Sequence, residues 1–427
     1  IISLLLFFNI YKLEFVYLIF IINLLLFIWR IDLSNKKINF EISLKFITLL
    51  FVLILIFLAL YKNTGNVFYS WDAVVSYNEW AKHFFQGDYP GGMVRPYLIP
   101  KLWSLTYIFI NNSEIDFFAK FTTVFFPIII LITCLDDIYE YQKLRDYLKF
   151  AFFCLFFYFQ RNFILTGYVD IPLVSLITCF FYYLRRNDKF SSLNFSIVSI
   201  ILSIVIKLSG LFSLFYFFII NKRTYLKKLI LFLIITFYFF LLYKNNFNNF
   251  FTSKIFNEMG QMNNFNLFNT INYSYHLLIN ANLHYITLLS FTGLFLKTTR
   301  KIFLIFIFPG LLYWTFLLSY DFRNMLFTIP AIIIVNSIVI EKIFFKIKFL
   351  KSLFILLKKI NIKKINLNIN FKLIYATIII FLIIFSYYFD NEKLFKNNYD
   401  RKFSMIGNKE INIAIKSLIL ENKINKD

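Results

Sequence analysis

The sequence predicts an all-α polytopic integral membrane protein with about twelve transmembrane helices (11–13) and an interfacial helix in its first large outer loop. Three observations lead there. Of 427 residues, 59% are hydrophobic, with 61 Phe and 28 Tyr, and only 16% are charged, against about a quarter in an ordinary soluble domain. The apolar residues come in runs long enough to cross a bilayer as helices, which satisfy their own backbone hydrogen bonds. Lys and Arg gather in short segments between alternate runs, as they do in cytoplasmic loops. Such a composition excludes a soluble globular protein, and also a disordered one, which needs low hydrophobicity and high charge. With 10 Gly and 7 Pro, collagen-like and low-complexity chains are excluded as well. The formal charge of +22, from 45 Lys+Arg against 23 Asp+Glu, reflects membrane topology rather than nucleic-acid binding, because the cations sit between spans. The abundance of Ile, Phe, Asn and Lys also has the look of AT-rich coding.

In chain order, Ile1 stands without an initiator Met, and 1–10 reads as the remainder of one more helix rather than a signal peptide, having no basic region or small-residue cleavage site. Apolar runs then fall at 15–29, 44–61, 115–135, 148–163, 167–184, 193–208, 210–220, 225–243, 282–296, 302–319, 324–340 and 373–389. The run 210–220 is short enough to fuse with its neighbour. One set of loops carries Arg30, Lys36, Lys37 and Lys45; Lys143, Arg145 and Lys149; Arg185, Arg186 and Lys189; Lys222, Arg223, Lys227 and Lys228; Lys297, Arg300 and Lys301; and the Lys-rich loop 341–372. These loops alternate correctly and define the cytoplasmic side. Within the last, 342–359 mixes Lys with Ile, Phe and Leu, as an amphipathic helix on the inner leaflet does. The other side receives the loop 62–114, the turn before Gly167, the turn 207–210, the loop 244–281, the turn 320–323 and a short tail, 391–427. Residues 1–390 thus form one membrane domain without a visible repeat. Cys134, Cys154 and Cys179 lie in apolar runs as buried free thiols, and no CxxC suggests a redox pair or a zinc site.

The chemistry-bearing residues gather on the outer side. In 69–85, a helix would align Asp72, Ser76, Glu79 and His83 on one face, with Trp71, Val74, Val75, Trp80 and Phe84 as the apolar remainder. This is either a carboxylate stripe toward a cavity or the solvated face of an interfacial helix. The Gly- and Pro-rich stretch 87–97, containing Arg95, is either a shaped loop or a plain connection. Asp170 stands at the outer end of a span, followed by Pro172; an acid at that depth is costly unless paired, solvated or metal-bound, and the simplest reading is a helix cap. Lys207 ends a span on the outer side against the charge bias, as a snorkelling lysine would. Asp321 and Arg323 form a short outer turn, where they pair as a cap or give a phosphate a bidentate grip. Carboxylates and cations together at a lipid–water boundary suit an anionic lipid-linked substrate and an acceptor hydroxyl. Glu79 and His83 have the i, i+4 spacing of metal ligands but lack a third, so a divalent cation is a candidate only.

In the order of these pieces the chain resembles the GT-C glycosyltransferases, multi-spanning enzymes that use polyprenyl-phosphate-linked sugars. The pieces are Ser70-Trp-Asp72 in the first outer loop, Asp88-Tyr-Pro90 leading through an apolar segment to Pro100, Gly167-Tyr-Val-Asp-Ile-Pro-Leu173 opening a later helix, Lys207-Leu-Ser-Gly210, and Arg323 before a helix containing Pro330. The resemblance covers 44–340. It implies Asp72 as general base, Arg323 and Lys207 on the donor phosphate, and Asp170 and Glu79 orienting sugar or acceptor or holding a divalent cation, with Asp321, Arg95 and Tyr168 completing the substrate-binding set. It also implies inversion at the anomeric carbon, a lipid, glycan or protein acceptor, and a bacterial inner membrane with the active site facing the periplasm or outside. The chain departs from the class in the spacing of Asp72 and Glu79, in Val94-Arg-Pro96 where some relatives carry His-Pro-Pro, and in lacking a large soluble tail. Two other readings stand beside this one: a transporter or flippase for lipid-linked sugars, and an O-antigen polymerase or ligase. Mostly helix-end charges and the missing repeat speak against the first. A loop 244–281 with His276 but no Arg speaks against the second.

Overall fold

The computed structural model describes residues 76–88, 98–113, 116–123, 125–141, 143–160, 168–186, 190–220, 225–243, 267–318 and 321–346. The expected spans at 15–29, 44–61 and 373–389, the Lys-rich loop beyond 346, the C-terminal tail, Asp72 and Arg95 lie outside the described residues. Every regular element among the described residues is helical. In order they are α1 (Glu79–Gln86), α2 (Leu98–Ile110), α3 (Asp116–Thr122), α4 (Phe125–Tyr141), α5 (Leu144–Phe159), α6 (Asp170–Arg185), α7 (Phe190–Ile206), α8 (Leu211–Ile220), α9 (Tyr225–Tyr243), α10 (Leu267–Asn280), α11 (His284–Phe291), α12 (Lys297–Leu318) and α13 (Ile329–Lys346). Three described helices, Phe118–Ile138, Lys297–Leu318 and Phe322–Phe345, are long and apolar enough to cross a membrane. Several shorter apolar helices accompany them, among them Leu98–Ile110, Ser192–Ile206 and His284–Phe295. The described residues are therefore all-α, with helices suited to a membrane protein.

Helix α6 is the axis of the bundle. Its residues from Asp170 to Phe181 are all buried, and it packs on α7, α4, α13 and the turn before α13. Association of helices within lipid rests on close packing and on satisfied polar groups rather than on expulsion of water. The interior accordingly holds many small hydroxyl residues. Thr178 donates to Val174 O (2.8 Å), Ser196 to Leu193 O (2.8 Å), Ser203 to Ile200 O (2.7 Å) and Ser337 to Ile333 O (2.7 Å), each within its own helix. Among the bonds that join helices are Ser175 Oγ to Phe126 O (2.5 Å) and Asn336 Nδ2 to Ile286 O (2.7 Å). On the periphery, α9 exposes Leu229, Ile230, Phe232, Leu233, Ile234 and Phe237 while burying Leu231 and Ile235, as a helix facing lipid on most sides does.

The ionisable groups of α6 lie at its two ends. Its 16 residues, DIPLVSLITCFFYYLR, span about 24 Å. Asp170 opens it, and Arg185 closes it beside Arg186. At the Arg185 end, Arg185 Nη1 donates to Asp146 Oδ1 (2.5 Å) and to Asp137 Oδ2 (3.3 Å), and Lys149 pairs with Asp137. Arg186 pairs with Asp136 (2.6 Å), Asp137 (3.4 Å) and Glu140. Tyr182 donates to Asp136 (2.5 Å), and the Arg185 guanidinium stacks 4.0 Å from the Tyr141 ring. Glu341 near the end of α13 accepts from the Arg145 backbone N–H (3.2 Å). This clasp ties α4, α5, α6 and α13 together at one pole of the bundle. Three of the Lys/Arg-rich loops read as cytoplasmic are represented in it, by Arg145 and Lys149, by Arg185 and Arg186, and by Glu341. The neighbouring acids were not part of that reading.

Where spans and helices differ, the cause is local. The run 115–135 carries two elements, α3 and α4, which meet near Thr123 within the apolar stretch Phe118–Ile138. The run 210–220 is joined to α7 through a 3₁₀ turn, Leu208–Gly210. The segment 244–281, expected as an outer loop, contains a helix, α10.

Candidate functional site

The opposite pole of α6 brings together three stretches distant in sequence. Asp170 lies in the first turn of α6, with Val169 accepting from Leu173 N (3.2 Å). Pro172 fits there because first-turn N–H groups have no partner within the helix. Asp170 is only 3% exposed, so its charge requires a partner.

Lys207 supplies it. Helix α7 ends at Ile206; Lys207 is extended (φ −156°, ψ 142°), and the chain folds back through the 3₁₀ turn. Gly210 N donates to Lys207 O (2.9 Å). A Cβ on Gly210 would lie 2.6 Å from Ile204 N, so only glycine allows the turn to close this tightly onto α7. The extended Lys207 then reaches across, and its Nζ donates to Asp170 Oδ1 (2.6 Å) and to Asn324 Oδ1 (2.8 Å).

The third stretch is the turn into α13. Asp321 caps the 3₁₀ segment Phe322–Thr328: its Oδ1 accepts from Arg323 N (2.9 Å), and its Oδ2 accepts from Arg323 Nε (2.5 Å) and pairs with Nη2. Trp314 Nε1 on α12 donates to Asp321 O (3.0 Å). Gly310 lets α12 approach this turn, since a Cβ there would lie 2.7 Å from Thr328 Cγ2. Asn324 Nδ2 donates to Leu318 O (3.3 Å), which fixes the amide with its oxygen toward Lys207. Arg323 lies with its Cζ 3.9 Å from the Tyr168 ring centroid, a cation–π contact, and the charge of Asp170 also acts on it.

Asp170, Lys207, Tyr168, Asp321, Arg323 and Asn324 therefore form one connected cluster. Each cation faces a carboxylate, so the four charges cancel. An ammonium has three donors, and two of those on Lys207 are engaged by Asp170 and Asn324. The N-terminus of α6 also lies here and carries the partial positive charge of first-turn N–H groups, whereas the N–H groups of Arg323 and Asn324 are taken by Asp321.

Of the residues singled out in the sequence, Asp170, Lys207, Asp321, Arg323 and Tyr168 are brought together; Asp72 and Arg95 lie outside the described residues. Glu79 is exposed on α1 and has His83 4.0 Å away; no contact joins it to the cluster among the described residues. No group of three His, Cys, Asp or Glu suited to a metal occurs among the described residues, so the Glu79–His83 pair gains no third ligand there. Cys134, Cys154 and Cys179 are free thiols. Sequence reasoning missed Asn324, whose one available signal was its place next to Arg323 in an outer turn. No family model, no curated protein and no solved structure matches this chain.

Proposed function

We propose that the chain is a membrane glycosyltransferase of GT-C type, which transfers a sugar from a polyprenyl-phosphate donor to a lipid, glycan or protein acceptor at the extracytoplasmic face. The observation that carries the reading is the cluster of Lys207 and Arg323 with Asp170 at the pole opposite the Arg185 clasp. In this reading Lys207, with its third N–H donor, and Arg323, oriented by Asp321 and Tyr168, receive the donor phosphate. Charge grows on that phosphate as the glycosyl bond breaks, and donors already fixed in place stabilise it without reorganising. Because the four side-chain charges cancel, the phosphate is held by directed donors and the N-terminus of α6 rather than by net charge. Asp170 and Asn324 hold the ammonium in one position. Asp72 is the proposed base for the acceptor hydroxyl, Glu79 and Arg95 remain proposed members of the substrate-binding region, and a divalent cation is an open accessory. The active face is proposed to be the outside of a bacterial inner membrane.

The spacing of charge along α6 favours this reading over a transporter or flippase. Between Asp170 and Arg185 the helix carries no Asp, Glu, Lys, Arg or His, whereas transporters tend to bind substrate and ions near the midplane. The test is transfer by the purified chain from a polyprenyl-phosphate sugar. Asp72→Asn abolishes turnover while the protein remains in the membrane, and Arg323→Ala mainly raises the KM for donor. Full activity in Asp72→Asn removes the assigned base.

A further inference from the structure

Helix α10 (Leu267–Asn280) has three sides. Ser274, Leu278 and the following Ala281 are buried, with Thr270 and Leu277 beside them. This seam packs against α11, the last turns of α12 and the Phe322–Thr328 segment that carries Arg323. At about 100° per residue, Phe268, Ile271, Tyr275 and Ile279 fall on one flank of the seam, and Asn269, His276 and Asn280 on the other, with Tyr273 at the edge of the latter. Phe268 is 76% exposed, Ile271 48% and Tyr275 39%. No Asp, Glu, Lys or Arg occurs in the helix.

Two features say what covers the apolar flank. First, α10 ends in a Schellman turn: Asn282 has φ 57°, Leu283 N donates to Leu278 O (2.9 Å) and Asn282 N to Ile279 O (2.9 Å), with Leu283 and Leu278 both buried. The chain passes at once into the apolar helix His284–Phe295, whose exposed Tyr285, Leu288, Phe291 and Phe295 form one stripe. The apolar flank of α10 is thus continuous in sequence with a face suited to lipid. Second, Gln160 Nε2, just past the end of α5 remote from the clasp, donates to Ala281 O (2.8 Å). That bond fixes the corner at the same pole as the Lys207–Asp170 pair.

We propose that α10 lies in the headgroup–acyl boundary of the bilayer at the site pole, its apolar flank in lipid and its Asn-rich flank in water. The Lys207–Arg323 cluster then sits at headgroup depth, where the phosphate of a membrane lipid reaches it without leaving the bilayer. The placement rests on the membrane reading of the chain and not on the transfer reaction.

Nitroxide labels on the full chain in lipid nanodiscs test it. Phe268→Cys and Ile271→Cys carry labels on one flank, Asn269→Cys and His276→Cys on the other, and the unmodified protein taken through the same labelling gives the background of the native thiols. Labels at 268 and 271 are expected to collide more with oxygen than with a water-soluble nickel chelate, and labels at 269 and 276 the reverse. Nickel access at all four positions, or shielding of all four from both reagents, overturns the proposal. Transfer activity, present or absent, leaves the label pattern unchanged, so failure of the enzymatic reading and failure of this one are distinguishable.

Discussion

Lys207 shows how much one residue depends on its neighbours. Its position follows from Gly210, which closes the turn behind it, and its orientation from Asp170 and Asn324, which take two of its donors. The helix-end position of Asp170 and Lys207 was legible, because both stand at ends of apolar runs where a charge has few other places to go. Asn324 was not, because an amide next to an arginine carries no pattern until the lysine of another helix arrives beside it. Lys101 gives a sharper test at this scale. It lies on α2, in the loop 62–114 outside the spans, is 5% exposed, and has its Nζ 5.2 Å from the Phe84 ring centroid. Burial pushes its ammonium down to about 8 from 10.5. Between those two values the unfolded chain binds more protons than the folded one, so stability rises with pH there. Below pH 8 the full cost of the buried charge is present. The melting temperature of the unmodified protein is therefore expected to gain on that of Lys101→Met, which lacks the titrating group, as pH climbs from 8 toward 10.5. A gap independent of pH contradicts the burial argument.

At the scale of elements, α6 separates two kinds of charge cluster. The Arg185 end is a clasp of buried acids and bases: the Asp137 and Asp146 side chains are each 1% exposed. A buried pair adds little over a well-packed apolar pair, but removing one partner leaves the other uncompensated. Arg185→Ala strands Asp146 and is expected to cost about 3 kcal/mol or more, read as loss of thermal stability of the purified protein. Arg300→Ala, an exposed cation of another basic segment, is expected to change stability by less than about 1 kcal/mol. Equal effects would reduce the clasp to a solvated surface network. The clasp escaped the sequence reading because loop assignment counts Lys and Arg and passes over Asp136, Asp137, Glu140 and Asp146 between them. Helix α10 escaped for a different reason: its apolar residues number too few for a span, and its three-sided pattern is meaningful only once the buried seam is known.

For the whole molecule, the all-helical architecture of the described residues was legible from run length and composition, since a bilayer restricts a chain to few solutions. Helix breaks were less so: hydropathy runs on through Thr123, where α3 gives way to α4. The stretches 168–170, 207 and 321–324 converge at one pole. The reaction proposed for it stands on what that pole binds. The most direct measurement is equilibrium binding of a short-chain polyprenyl phosphate, without sugar, to the purified full chain in nanodiscs. The account predicts saturable binding that Lys207→Ala weakens by about tenfold or more, the worth of a charged hydrogen bond, while Lys301→Ala in the first turns of α12 leaves it unchanged. Binding of equal strength in the Lys207→Ala variant and the unmodified protein would contradict the account.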